Sequence, residues 1–145
     1  MILVANRQRR MDVAAGDVRK VVRGVYRAEG SRAPELSIAV VDDATIRELN
    51  RAHLGHDWAT DAITFSFAAD PGPDGVRGEV VVSAETALRE AEGRGTDPRH
   101  ELLLYVAHGT LHLLGWEDDT PARRRRMNGR AAQILEDLGI RVTGR

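Results

Sequence analysis

Apolar residues recur along the chain at two spacings, and these spacings divide it into strands and helices. Residues 62–67 alternate, with Ile63, Phe65 and Phe67 on one side, which predicts a half-buried strand. Valines at three- and four-residue steps predict a helix over 17–28 instead. The predicted strands are 2–5, 36–41, 62–67 and 79–82, and the predicted helices are 17–28, 44–53, 84–92, 98–114 and a last one opened by Thr120-Pro121.

The order of these elements indicates the fold class. A loop rich in proline and glycine spans 68–77, so the strands on either side of it are expected to pair as an antiparallel hairpin. Helices separate the other strands. We therefore expect an α+β fold with a mixed sheet of about four strands and helices packed on it, in a single domain over residues 1–145.

Composition narrows the chemistry that this fold can carry. The chain has no cysteine, which excludes disulfides and thiolate metal sites, so any metal must use histidine and carboxylate ligands. The apolar run at the start is too short for a signal segment or a membrane span. We therefore expect a cytoplasmic protein with no membrane partner. The net charge of −1 gives no general attraction to nucleic acid.

The helix predicted over 98–114 carries the strongest candidate chemistry. His108 and His112 are four residues apart, so their rings project from one face and can bind one divalent ion. Two histidines at this spacing also occur by chance on helices. Gly115 ends the helix and turns the chain, which brings a carboxylate of Glu117, Asp118 or Asp119 within reach as the third ligand. Three protein ligands with an open fourth position are typical of a catalytic zinc site.

Two groups of basic residues leave two interpretations open. The helix over 17–28 carries Arg19, Lys20, Arg23 and Arg27 mostly away from its valine face, and the last helix opens with the run 123–126. We expect solvated helix faces in both places. Contact with RNA phosphates is the alternative.

Several blocks of the sequence resemble one known family. They are Leu49-Asn50, Thr-Asp-Ala-Ile-Thr-Phe at 60–65, Gly-Glu-Val-Val-Val-Ser at 78–83 and His-Gly-Thr-Leu-His-Leu-Leu-Gly-Trp-Glu-Asp at 108–118. These blocks resemble, in the same order, those of the YbeY endoribonucleases, also called rRNA maturation factors. The resemblance covers the chain from about Asp42 to the last helix.

The resemblance implies a function and a set of ligands. The family has a zincin-like α+β fold whose His-x-x-x-His helix carries one zinc ion per chain. It implies a single-strand-specific endoribonuclease that acts in small-subunit rRNA maturation and ribosome quality control. RNA and ribosomal proteins are then the expected partners, and no nucleotide cofactor is expected. The family's third histidine falls at Asp118, so the implied ligands are His108, His112 and Asp118, with Glu117 or Asp119 as substitutes.

The chain departs from the family at a second position. Leu54 stands where the family has an arginine that is thought to serve RNA binding or catalysis. Arg51 or His53 is the candidate to compensate, and Asp61 is a candidate support for the site. The departure leaves open a second function, a ribosome-assembly factor that binds RNA and holds only a structural metal. A peptidase is disfavoured, because zinc peptidases place a glutamate after the first histidine and this chain has Gly109.

Overall fold

The computed structural model describes residues 1–67 and 75–142. Within these ranges the strands are β1 (Ile2–Asn6), β2 (Leu36–Val41), β3 (Ala62–Ser66) and β4 (Gly78–Ser83). The helices are α1 (Ala15–Ala28), α2 (Asp43–Leu54), α3 (Ala84–Arg94), α4 (Pro98–Leu113) and α5 (Pro121–Asp137). Each predicted element is present with ends that differ by at most two residues. The predicted loop at 68–77 lies largely outside the described residues.

The strands form one sheet in the order β1-β2-β4-β3. β1, β2 and β4 run parallel, because a helical crossover returns the chain between them. β3 runs antiparallel to β4, with Ile63 opposite Val81 and Thr64 opposite Val80. The predicted α+β class, mixed sheet and antiparallel hairpin are confirmed. None of the helices in the described ranges is long and apolar enough to cross a membrane.

Successive side chains of the central strands face two different helical layers. In β4, Val80 and Val82 join the main core with α1, α4 and α5. Val81 points to the other face, where it packs with Ile46 of α2 and Ile63 of β3. The alternation follows the two-residue period of a strand and leaves both faces of the sheet covered. α4 and α2 therefore lie on opposite faces of the sheet.

α4 approaches the sheet closely through a residue without a side chain. A Cβ atom built on Gly109 would lie 2.4 Å from Cγ1 of Val80, so the helix touches β4 at this point. Leu113 packs over Gly78, the first residue of β4. α4 therefore ends near the N-terminal ends of the parallel strands.

α1 packs beside α4 and runs in the same direction. Residues at the start of both helices, including Asp17 and Arg99, line a shared cavity of about 320 Å³. At the other end Glu29, just past α1, is hydrogen-bonded to Trp116, just past α4. Both helices thus end where β1, β2 and β4 begin, and we call this part of the molecule the helix-end edge.

Candidate functional site

The end of α4 is shaped so that the chain returns beside His112. Gly115 has a φ of 97°, a left-handed conformation that glycine adopts without strain. The N–H of Trp116 then donates to the carbonyl of Leu111 at 3.1 Å, which closes the turn against the helix. The acids that follow are therefore held next to the last turn of α4.

His112 is fixed by its backbone neighbour and faces one of these acids. Its Nδ1 lies 3.0 Å from the carbonyl oxygen of Trp116, and its Nε2 lies 3.5 Å from Oδ2 of Asp118. A carbonyl oxygen only accepts hydrogen bonds, so Nδ1 carries a proton, and Nε2 is the ring nitrogen that faces Asp118. Metal-bound histidines are held in this way by their second nitrogen. An imidazole nitrogen facing a carboxylate oxygen fits a divalent cation such as zinc.

Arg123, at the start of α5, binds the two acids that flank Asp118 in the chain. Its guanidinium Nη1 lies 2.6 Å from Oε2 of Glu117 and 2.9 Å from Oδ1 of Asp119. The hydrogen bond from Arg123 lowers the pKa of Asp119 below its usual value. Of the three candidate carboxylates, Arg123 therefore binds two, and Asp118 faces the histidine.

A half-buried contact between distant segments anchors the turn after α4. The indole Nε1 of Trp116 donates to Oε1 of Glu29 at 2.6 Å. The second oxygen of Glu29 accepts from Nε of Arg130 in α5 at 2.9 Å. Glu29 thus ties together α1, α5 and the residue whose carbonyl orients His112. This anchor could not be predicted from the sequence, because the pattern near Trp116 carries no signal of a partner 87 positions away.

Comparison with known proteins extends over the same elements. The sequence model described as Endoribonuclease YbeY matches residues 3–139. The chain belongs to the YbeY family. Endoribonuclease YbeY of Salinibacter ruber is 36% identical over 130 residues, 86% of this chain and 83% of that protein. The Moorella thermoacetica protein of the same name is 38% identical over 132 residues, 84% of this chain and 85% of that protein.

A solved structure shows the same fold. A Thermotoga maritima protein studied in solution superposes with a TM-score of 0.63 at 22% identity, over 96% of this chain and 92% of that chain. At this level of identity the likeness bears on the fold alone. Together with the family match, it agrees with the α+β architecture of a YbeY-family chain.

Of the ligands predicted for this YbeY-family chain, the structure brings His112 and Asp118 together. His108 is half-buried one turn earlier in α4. Over residues 1–67 and 75–142, no three His, Asp or Glu side chains are grouped closely enough to hold a metal ion. The set of His108, His112 and Asp118 therefore stays a prediction.

The two predicted supporting residues make local contacts. Arg51 binds Glu48 one turn earlier in α2, with Nε 3.2 Å from Oε2. Asp61 accepts a hydrogen bond from the N–H of Ala62 at 2.7 Å, at the start of β3. Asp61 thus has the strand-start role that a turn aspartate often takes. A catalytic contribution from Arg51 or Asp61 stays a prediction.

The YbeY block around Asn50 has a structural role in this chain. Asn50 is buried, and its Nδ2 donates to the carbonyl of Trp58 at 3.0 Å, which holds the loop between α2 and β3. Leu54, in the place of the family's arginine, is 54% exposed. The ring of His53 packs edge-on against Phe65, with 5.2 Å between centroids. Phe65 lies on the α2 face of the sheet, so His53 is on the opposite face from α4.

Proposed function

We propose that this chain is a metal-dependent endoribonuclease that cuts single-stranded RNA in the maturation and quality control of the small ribosomal subunit. Membership of the YbeY family supports the endoribonuclease class and an RNA substrate. One observation carries the metal-dependent part of the proposal. His112 Nε2 faces Asp118 Oδ2 at 3.5 Å, while Nδ1 is held by the carbonyl of Trp116.

His108, His112 and Asp118 would hold one zinc ion per chain and leave a position open for water or phosphate. When bound, the ion would polarise a phosphoryl oxygen or activate a water molecule. The protein's own residues orient the ligands. The carbonyl of Trp116 sets the ring of His112, and Arg123 keeps Glu117 and Asp119 in ion pairs.

The packing of α4 also argues for a substrate other than a peptide. A zinc peptidase needs a glutamate directly after the first histidine to activate water. That position is Gly109, where even a Cβ atom would lie 2.4 Å from Val80. A carboxylate side chain therefore has no space there unless α4 moves away from the sheet.

An assembly factor that binds RNA and holds a structural metal is the second candidate. The observation in its favour is Leu54, an exposed and uncharged side chain in the place of the family's arginine. Such a factor would retain RNA without cutting it. Pure RNA without ribosomal proteins distinguishes the two, because an enzyme cuts that RNA and a binding factor only retains it.

The test combines metal content with cleavage. The chain, purified without chelator, should carry about one zinc ion, and His112→Ala and Asp118→Ala should carry none. Glu117→Gln is the matched control, since Glu117 is bound to Arg123 and should not be needed for the metal. Cleavage of a pure single-stranded RNA by the chain and this control alone supports the proposal. Zinc without cleavage favours the assembly factor, and full-rate cleavage by His112→Ala refutes the metal mechanism.

A further inference from the structure

The helix-end edge contains a cavity that three arginines surround. Its volume is about 490 Å³, and its lining includes Arg23 and Arg27 of α1 and Arg32 of the following loop. Arg23 and Arg27 are one helical turn apart, so their side chains project from the same side of α1. All three arginines are exposed to solvent.

The charge in this cavity is not balanced by acids of the described chain. The lining contains no carboxylate, and within residues 1–67 and 75–142 none of these three guanidinium groups forms a salt bridge. The neighbouring acids have other partners, because Glu29 binds Trp116 and Arg130 and Glu35 binds the amino group of Met1. Three cations around one cavity repel each other and favour an anionic ligand. The chain as a whole has a net charge of −1, so this is a local concentration of charge.

The arginine cavity lies at the same end of the sheet as the candidate metal centre, which is formed by His112 and Asp118. Glu29 lies between Arg27 and Arg32 in the chain and is bonded to Trp116, whose carbonyl binds His112. A second cavity of about 360 Å³ also lies at the helix-end edge, and its lining includes Tyr26 of α1 and Leu113, the neighbour of His112. A ligand in the arginine cavity would therefore lie at the same end of the sheet as the centre, beside α1 and the start of β1.

We propose that Arg23, Arg27 and Arg32 form a phosphate-binding subsite that holds the RNA strand to one side of the bond cut at the candidate centre. Guanidinium groups bind phosphate oxygens through paired hydrogen bonds. The cavity is also within the size range of small-molecule sites, which suits a nucleotide. The helical pattern alone predicts a solvated face here. This inference rests on the proposed function for its substrate, and its test reads binding separately from cleavage.

The test measures how RNA affinity depends on salt. A labelled single-stranded RNA is titrated by fluorescence anisotropy, with a chelator present so that metal-dependent cleavage does not occur. The variant Arg23→Ala/Arg27→Ala keeps α1 intact, because alanine favours helix. The matched control Arg7→Ala/Arg9→Ala removes two exposed arginines just beyond the C-terminal end of β1, whereas the cavity lies at the N-terminal end of this strand.

We expect the α1 variant to lose salt dependence. The slope of log affinity against log salt should fall in magnitude by about 1.4, since each phosphate contact on a single strand contributes about 0.7. The control should keep the slope of the unmodified chain. The loss of RNA affinity in the α1 variant should become smaller as the RNA is shortened to a dinucleotide, because a shorter strand is less able to occupy the centre and the cavity together. The variant could instead lose the same affinity at every RNA length and the same affinity for inorganic phosphate. The cavity would then bind a small free anion, and the assignment to an RNA strand would be overturned.

The outcomes separate this inference from the proposed function. Cleavage of pure RNA with equal salt slopes in the chain, the variant and the control would refute the subsite and leave the nuclease standing. A reduced slope confined to the α1 variant, in a chain that does not cleave RNA, would support RNA phosphate binding by these arginines and refute the nuclease.

Discussion

Replacing Gly109 by alanine tests how closely α4 must approach the sheet. The new Cβ atom would lie 2.4 Å from Cγ1 and 3.2 Å from Cγ2 of Val80. Carbon atoms are in contact at about 3.5 Å or more, so the shorter of these distances is too small by about 1 Å. Val80 is fully buried, and β4 is hydrogen-bonded to a strand on each side. The clash is therefore relieved mainly by movement of α4.

The expected loss of stability combines two opposing effects. Overfilling a packed core at a contact this short should cost about 3 kcal/mol, at the upper end of the usual range. Alanine is a better helix former than glycine by about 1 kcal/mol. We expect Gly109→Ala to lower the free energy of unfolding by about 2 kcal/mol. His108 and His112 lie on both sides of this residue, and a shift of about 1 Å in reacting groups can lower a rate about 100-fold.

Urea unfolding provides the assay, and the chain offers a matched control. Gly129 is exposed in α5, and no atom lies within 4 Å of a Cβ built on it. Gly129→Ala should therefore raise the free energy of unfolding by about 1 kcal/mol. Adding Val80→Ala to Gly109→Ala removes the clashing methyl groups, so the double variant should lose less stability than the sum of the single changes. Equal stability gains from Gly109→Ala and Gly129→Ala would refute the packing argument.

Two further predictions concern anchoring carboxylates. Glu29→Ala removes the acceptor of the Trp116 indole and should weaken zinc binding about 10-fold, whereas Glu29→Gln keeps an acceptor and should retain most of the affinity. Equal zinc affinity in Glu29→Ala and the unmodified chain, measured by competition with a chelating dye, would mean that other contacts place Trp116. Burial raises the pKa of Asp43, but hydrogen bonds outweigh it and the net pKa is lowered; the donors are Ser83, Arg89 and Thr86. The pKa of the Asp43 carboxyl is therefore higher in the unfolded chain than in the folded one. Its contribution to the free energy of unfolding is complete above about pH 4 and is lost as the pH falls toward the pKa of the folded state. Asp43→Asn should flatten the acid side of the stability profile, and an unchanged acid profile would contradict the argument.

Features set by neighbours along the chain could be predicted from the sequence. The start of α4 was predicted because Asp97 caps the helix and Pro98 occupies its first position. Its end was predicted because Gly115 adopts the left-handed turn that glycine favours. The strand at 36–41 has the predicted bounds, since β-branched residues fill it and an acidic cap follows. Helix and strand periods act over a few residues, which is the range that a sequence pattern reports.

Contacts between distant segments could not be predicted in the same way. The parallel pairing of β1 with β2 and of β2 with β4 depends on how the crossover helices pack. The Glu29–Trp116 bond likewise needs α1 and α4 to end together. Arg123 is the first of an arginine run that suggested a solvated face, yet in the fold it binds Glu117 and Asp119. The types of residue at the candidate centre were therefore predictable, and the contacts that orient them were not.

The common direction of α1 and α4 has an electrostatic consequence. Aligned peptide dipoles give the C-terminal end of a helix about half a negative charge, so two helices ending side by side place two such charges together. At the end of α1 this charge meets a cation, because Arg130 donates to the carbonyl of Ala28 at 2.8 Å. The proposed zinc ion would place a positive charge beside the negative end of α4 in the same way. The backbone thus makes this edge attractive to cations, and arginines attached to it can then present their own positive charge outward to a polyanion.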